Sequence, residues 1–385
     1  MKDQLPIDES IALLRALATP QGILASRSAV ANYAAVFARD AIMAGLAGLA
    51  AGDEQIVTGL RRTLEQLRAL QGPQGQIASN FRTGPDGRQQ VSFGTLAPRF
   101  DSATWYLVGV ALLCARGHAR YEDFAESAEG VVDLLEGIEY NGRHLLYVPA
   151  GGNWADEYPF DGYILYDQVL RAWGLRLLAP LAGKPAWAEK SAAIARVIDE
   201  RYWPSTDWQY GGPRRFPVAA TSPVRTDEHL DLAACALLAI ADLLPHRSAS
   251  ILDGLEQGFL AHGALVPAFS PVIHEGDREW DALAGYHLHG FRNRPHEYHN
   301  GGIWPVWLGW LGVALARHGR VATSGTLHAL TVAHLHRLTH FDFEEYFHGQ
   351  TGEALGTAGM AYTATGFVLL DLARQRGPEA WTWIA

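Results

Sequence analysis

The chain predicts an all-α fold in one domain, and three observations carry that prediction. Apolar residues recur at helical spacing in about twelve segments from end to end. Strand-like alternation is scarce, and Thr83-Gly84-Pro85-Asp86-Gly87-Arg88 reads as a single hairpin tip. No Pro/Ser-rich linker interrupts the 385 residues, so 1–385 reads as one large domain.

The elements follow in order. Ile11-Ala12-Leu13-Leu14 opens the first helix behind Asp8, which is placed to cap it. Helical periodicity then runs over 30–51, 54–70, 102–116, 122–138, 163–181 and 186–202, and again over 228–244, 249–261, 303–317, 323–338 and 358–376. Gly45, Gly48 and Gly52 lie in or at the end of an Ala-rich helix, where close helix packing explains them better than a phosphate cradle does. The intervening stretches 71–98, 140–160, 203–225 and 265–302 are long, and together they are rich in Gly, Pro, His, Trp and Tyr. Loops of that length in a compact domain are functional or disordered, and their aromatic content argues against disorder. Gathered at one end of a ring of helices, they would form a cleft whose Trp and Tyr rings stack on sugar faces; they would equally cap a large helical core.

Composition narrows the function. Hydrophobic residues make up 48% of the chain and charged residues 19%, so much of it is interior. A net charge of −10, with basic residues only in isolated pairs such as Arg61-Arg62 and Arg214-Arg215, argues against a nucleic-acid partner. Cys114 and Cys235 sit in apolar helical runs and read as small buried hydrophobes rather than as disulfide partners or ligands. The longest apolar run, 303–316, is interrupted by Pro305 and Gly309 and is too short to span a bilayer. The acidic amino terminus does not read as a signal peptide. The expectation is a soluble, cytoplasmic protein with no membrane partner, and homo-oligomerisation stays open.

Two acidic residues stand out by their surroundings. Asp156 lies in Asn153-Trp154-Ala155-Asp156-Glu157-Tyr158-Pro159, and Glu345 in Phe343-Glu344-Glu345-Tyr346-Phe347-His348-Gly349. A carboxyl group beside aromatic rings is partly desolvated and can hold a proton near neutrality, while a second, ionised carboxylate serves as base. Glycoside hydrolysis needs that pair: one acid for the leaving oxygen, one base for water. Both residues could also be caps or surface acids in a chain with 41 Asp and Glu. Other chemistries lack motifs. His296-Glu297-Tyr298-His299 is one residue short of the zinc-protease spacing, and His336 and His340 have no evident third ligand. Neither a Gly-x-Ser-x-Gly elbow nor a P-loop is present. No metal and no cofactor is expected.

Several blocks resemble the neutral/alkaline invertases, glycoside hydrolase family 100. Asn32-Tyr33-Ala34-Ala35-Val36-Phe37-Ala38-Arg39-Asp40 is similar to that family's Asn-Tyr-x-x-Val-Phe-x-Arg-Asp. Asp101-Ser102-Ala103-Thr104-Trp105-Tyr106 looks like its Asp-Ser-Gly-Leu-Trp-Trp, and Gly75 to Phe81 matches a loop between them more loosely. Tyr298-His299-Asn300-Gly301-Gly302-Ile303-Trp304-Pro305 is similar to its Tyr-His-Asn-Gly-Gly-x-Trp-Pro. The order of the blocks agrees over nearly the whole chain.

The resemblance implies an (α/α)6 barrel and an inverting mechanism. It puts Asp156, followed by Gly162-Tyr163 and Gln168, at the position of the general acid, and Glu345 at that of the general base. It places Arg39, Asp40 and Asp101 in the sugar pocket, and it makes Trp105, Trp154, Tyr298, His299, Asn300 and Trp304 candidates for substrate binding. Read from the residues alone, Asp101 could be a helix cap, Arg39-Asp40 an internal ion pair, and Trp105 and Trp304 core. Ala34-Ala35 and Glu157-Tyr158 depart from the family's Asp-Gln and Arg-Arg.

The expected function is an inverting, exo-acting hydrolase of a small α-glucoside, with sucrose the leading substrate. A debranching- or trehalase-type α-glucosidase is the alternative within this class. A sugar isomerase or epimerase on the same barrel would work through His, and a sugar-binding protein would need the cleft without the acid and base.

Overall fold

A computed structural model describes residues 4–28, 33–84, 86–95, 97–139, 142–155, 157–204, 215–285 and 290–385. Asp156, Asn32 of the amino-terminal motif and Arg214 of the second basic pair lie outside the described residues.

Thirteen α-helices occur among the described residues: α1 (Ile7–Leu17), α2 (Ala38–Ala51), α3 (Glu54–Ala69), α4 (Phe100–Ala115), α5 (Ala125–Gly137), α6 (Leu165–Ala182), α7 (Pro185–Arg201), α8 (Leu232–Ala241), α9 (Pro245–Gly258), α10 (Trp280–Ala284), α11 (Pro305–Arg317), α12 (Val321–Leu335) and α13 (Ala361–Gln375). Twelve match the segments expected from periodicity; α10 is a single turn inside the long loop 265–302.

Packing sorts the twelve into two layers. Helices α2, α4, α6, α8, α11 and α13 each contact the next, and α13 closes back onto α2. These six are buried over most of their length and circumference; every residue of α8 is buried, and so is most of α2 and α4. A helix without a polar face must be enclosed on all sides, which places it in the inner ring. The other six lie outside: α3 on α2, α5 on α4, α7 on α6, α9 on α8, α12 on α11 and α13, and α1 on α13. They are two-faced, as α3 illustrates by burying Ile56, Leu60, Leu64 and Leu67. The fold is an (α/α)6 barrel. Gly45 and Gly48 face α3 so closely that an added Cβ would stand 2.4 Å from Leu60 Cβ and 2.5 Å from Ile56 Cγ2, so these glycines serve helix packing.

Several inner helices begin later than their apolar pattern. Val36–Phe37 pairs with 80–81 before α2, Tyr163–Ile164 with 220–221 before α6, and Leu230–Asp231 with 269–270 before α8. Single bridges join Ile303 to Phe347 before α11, and Ser26 to Met360 before α13. Most residues ahead of these helices are apolar and extend the helical pattern, but their backbone is extended because neighbouring segments supply its hydrogen bonds. The expected hairpin is present, with strands Asn80–Thr83 and Gln89–Ser92 closed by Gly84 N to Arg88 O at 2.8 Å.

Two capping expectations are corrected. α1 starts at Ile7 behind Pro6, so Asp8 lies within its first turn, where a carboxylate still suits the helix dipole. α4 starts at Phe100 behind Arg99, so Asp101 is a first-turn residue and not the cap. Cys114 and Cys235 are both free thiols, Cys235 buried and Cys114 half-buried. None of the described helices is long and apolar enough to cross a membrane.

Candidate active site

A cavity of about 390 Å³ opens where the inner helices begin. Its floor comes from first-turn residues: Arg39 and Asp40 on α2, Asp101 and Ser102 on α4, and Tyr362 on α13. Its walls come from the preceding loops: Tyr33 and Phe37, the hairpin residues Ser79, Asn80 and Ser92, then Trp154, Arg292, Tyr298, Trp304 and Glu345. Helix N-termini carry partial positive charge, so a ring of them tolerates the acids gathered here.

The floor is an ion-pair network. Arg39 Nη1 donates to Asp101 Oδ2 at 2.7 Å, Arg39 Nε lies 3.4 Å from Asp40 Oδ1, and Nε also donates to the Tyr362 hydroxyl. Burial opposes the charge on Arg39, yet Tyr362, Asp101 and Asp40 outweigh it and hold the guanidinium well above its usual pKa. Asp101 is 1% exposed, and its Oδ1 has no hydrogen-bond partner among the described residues. Such a buried acceptor is costly unless a ligand satisfies it. Arg39-Asp40 is thus both an internal ion pair and part of the cavity.

Glu345 stands in the wall at 5% exposure. Its Oε1 accepts from the Tyr33 hydroxyl at 3.0 Å, and its Oε2 accepts from Thr357 N at 3.4 Å. Gly356, at φ +85°, passes so close that an added Cβ would stand 2.7 Å from Glu345 Cβ and Oε2. Burial pushes the Glu345 carboxyl up to about 7, against the lowering influence of Arg292, Tyr33 and Thr357. A raised carboxyl is therefore present on the residue that the resemblance makes the base, while Asp156, for which it is expected, lies outside the described residues.

The segment leading to residue 156 is fastened at several points. Asn153 Oδ1 accepts from Ala155 N at 3.1 Å, and Asn153 O accepts from Arg99 Nη1 at 2.7 Å. Asn153 Nδ2 donates to Asp167 Oδ2 at 3.1 Å; burial, then the nearby Asp101, push the Asp167 carboxyl well above the carboxylate range. After residue 156, Glu157 O accepts from Asn293 Nδ2 at 2.7 Å. The Glu157 side chain, 3% exposed, takes both Nε (3.0 Å) and Nη2 of Arg292. The resemblance has an arginine after the acid; here that position is acidic, and a guanidinium reaches the same segment from residue 292.

The aromatic wall is continuous. Trp154 contacts Phe269, His299, Trp304 and Trp307 with ring centroids 5.0–5.7 Å apart, and Trp304 stacks on Tyr346 at 5.7 Å. The Tyr298–Gly302 turn explains its own glycines. Tyr298 has φ +47° and Gly301 φ +91°, and a Cβ on Gly302 would lie 2.1 Å from Tyr298 O.

Of the expected site residues, Arg39, Asp40, Asp101, Trp154, Tyr298, Trp304 and Glu345 line the cavity together. Trp105 does not; it is fully buried below, with Nε1 donating to the Tyr166 hydroxyl at 2.8 Å and its ring against Trp173 and Trp310. His299 is buried behind the wall, stacked on Trp304 at 5.2 Å. Asn300 is a loop brace, receiving Ile273 N at 2.8 Å and donating to Ile273 O at 2.8 Å. Sequence reasoning missed Tyr33, Arg292 and Tyr362 as cavity residues. Tyr33 lay inside a motif block and could have been singled out, whereas Arg292 and Tyr362 carried no signal. Among the described residues, no group of three or more His, Cys, Asp or Glu side chains is arranged to hold a metal ion.

Comparison with known proteins relates this architecture to glycosidases. A family model described as alkaline and neutral invertase matches residues 256–375. Over 142 residues, 36% of this chain, the sequence is 30% identical to the probable alkaline/neutral invertase D of Arabidopsis thaliana, and the matched stretch spans only 25% of that relative. The GH63 mannosylglycerate hydrolase from Thermus thermophilus, solved in complex with glucose, superposes with a TM-score of 0.66 at 14% identity, covering 96% of this chain and 100% of its own. A bacterial glucoamylase complexed with acarbose gives 0.66 at 15% identity, covering 97% of this chain and 56% of its own. At such identities the structural matches establish the fold alone.

Proposed function

We propose that this relative of the alkaline and neutral invertases, built on the (α/α)6 barrel, is an inverting, exo-acting glycoside hydrolase of a small α-glucoside, sucrose first. One observation carries the reading: a buried carboxylate, Glu345, faces a cavity whose walls include the rings of Tyr33, Trp154, Tyr298 and Trp304 and whose floor is the Arg39 network. Ring faces pack on the apolar faces of a sugar, while Asp101 Oδ1 offers an acceptor to its hydroxyls. A cavity of about 390 Å³ suits one terminal sugar and its immediate substituent, hence exo action.

In this mechanism Asp156 gives its proton to the glycosidic oxygen as the bond to the anomeric carbon breaks. Glu345 takes a proton from a water molecule, whose oxygen bonds to that carbon from the opposite face. The sugar leaves with inverted configuration, and the two carboxyl groups exchange protonation states. Because Glu345 loses its proton near pH 7, the free enzyme gains activity as pH rises through neutrality.

Incubation of the purified protein with sucrose, trehalose, isomaltose and maltose, followed by monosaccharide detection, tests the class and the substrate together. Absence of hydrolysis on every α-glucoside would remove the reading. Conversion of a free monosaccharide into an isomer would instead favour an isomerase, for which the cavity offers no histidine among its described lining residues.

A further inference from the structure

We propose that Arg292 binds the leaving group of the substrate, held in place for that purpose by Glu157 and Tyr298; the proposal rests on the glycosidase reading above.

Three observations place Arg292 there. First, its guanidinium is fixed before any ligand arrives. Nε and Nη2 are both taken by the buried Glu157 carboxylate, and the guanidinium carbon lies 4.3 Å over the Tyr298 ring. That ring is itself set by a left-handed backbone (φ +47°) and by Trp304 Nε1 donating to Tyr298 O at 3.0 Å. A fork bound on one edge and stacked on one face loses little freedom when its remaining edge meets a ligand. Second, that edge is available. Nη1 has no partner among the described residues, and the side chain lines the cavity while 34% exposed. The floor guanidinium, Arg39, is by contrast occupied by Asp101, Asp40 and Tyr362. Third, Glu157 directly follows the candidate acid in sequence. In the proposed mechanism the acid must reach the leaving oxygen within hydrogen-bond distance, so the guanidinium is tied to the residue next to the one that meets the leaving group. The chemistry that fits Nη1 is a pair of acceptor oxygens, the hydroxyls of a second sugar ring.

Arg292 also acts through space on Glu345, lowering its pKa. Its removal should therefore move the acidic limb of the rate profile to higher pH, a response that a purely structural brace would not produce.

The test compares kcat/KM for two substrates: the disaccharide of the panel above that the wild type cleaves fastest, and α-D-glucosyl fluoride, whose leaving group has no hydroxyls. In Arg292→Met the disaccharide value should fall roughly 10-fold or more beyond any fall for the fluoride, the worth of one charge-assisted hydrogen bond. Arg292→Lys should recover only part of that gap. Since Arg292→Met leaves a buried carboxylate unpaired, the double variant Glu157→Gln/Arg292→Met serves as the folded control and should show the same gap. Equal losses on both substrates, or none on either, would overturn the assignment. A wild type that cleaves neither disaccharides nor the fluoride would instead bring down the glycosidase reading, and this proposal with it.

Discussion

The hydroxyl of Tyr33 donates a 3.0 Å hydrogen bond to Oε1 of Glu345, joining residues 312 positions apart at the wall of the cavity. The bond stabilises the ionised carboxylate, so it opposes the burial that raises the Glu345 pKa. Tyr33→Phe removes it. The acidic limb of kcat/KM should move to higher pH, with a loss of roughly threefold or more at pH 6.5 that fades on the alkaline side. A pH series on the purified variant measures this, and an unmoved limb would mean that Glu345 is not the group whose ionisation controls the rate.

Asp156→Asn and Glu345→Gln should each lower kcat by ~10²–10⁴-fold, the scale for a positioned acid or base, while substrate binding persists. Glu344→Gln should stay within a few-fold of wild type. Glu344 Oε2 accepts from Asp342 N at 2.8 Å and has a turn to stabilise, whereas Glu345 faces the cavity. Steady-state kinetics of the three variants decide which of the adjacent glutamates is the base. Loss in Glu344→Gln with normal turnover in Glu345→Gln would reverse the assignment.

The same burial has a consequence for stability. Glu345 rises from the usual 4.5 to about 7 in the fold, so the folded state favours its protonated form. Below about pH 4.5 the group is protonated in both states and carries no penalty. Between there and about pH 7 ionisation of the unfolded chain increasingly opposes folding, and above pH 7 the full cost applies, on the order of 3 kcal/mol. Glu345→Gln should therefore melt higher than wild type at pH 8, with the gap closing toward pH 4.5, despite its loss of activity. Thermal denaturation at the two pH values checks the sign.

An inverting enzyme delivers the product of opposite anomeric configuration, because a water molecule stands between base and sugar. The first glucose released from an α-glucoside should be the β-anomer. Proton NMR of early hydrolysis, before mutarotation, reads this directly, and initial α-glucose would show retention and exclude the acid–base assignment given to Asp156 and Glu345.

Much of the molecule was legible in one dimension. Helical periodicity located all twelve barrel helices, since burial of a helix face leaves an imprint every third or fourth residue. Of the candidate site residues singled out within the motif blocks, seven meet in the cavity. What remained hidden was the meaning of burial where partners come from elsewhere in the chain. The residues 36–37, 230 and 303 look like helix because they are apolar; they are extended because 80–81, 270 and 347 pair with them. Trp105 and Trp304 are equally aromatic in sequence, yet one is enclosed by Trp173 and Trp310 while the other faces the cavity.

The sequence by itself therefore determined the all-α class and the positions of the barrel helices, because those depend on local spacing of apolar side chains. Only the tertiary structure decided which polar residues share the site. Tyr33 with Glu345, Arg39 with Asp101, and Arg292 with Glu157 are partners separated by 312, 62 and 135 positions. Such a pairing leaves no periodic trace in the chain. It exists because the inner ring closes α13 onto α2, bringing the two ends of the sequence to the same wall, where each buried charge needs its counterpart.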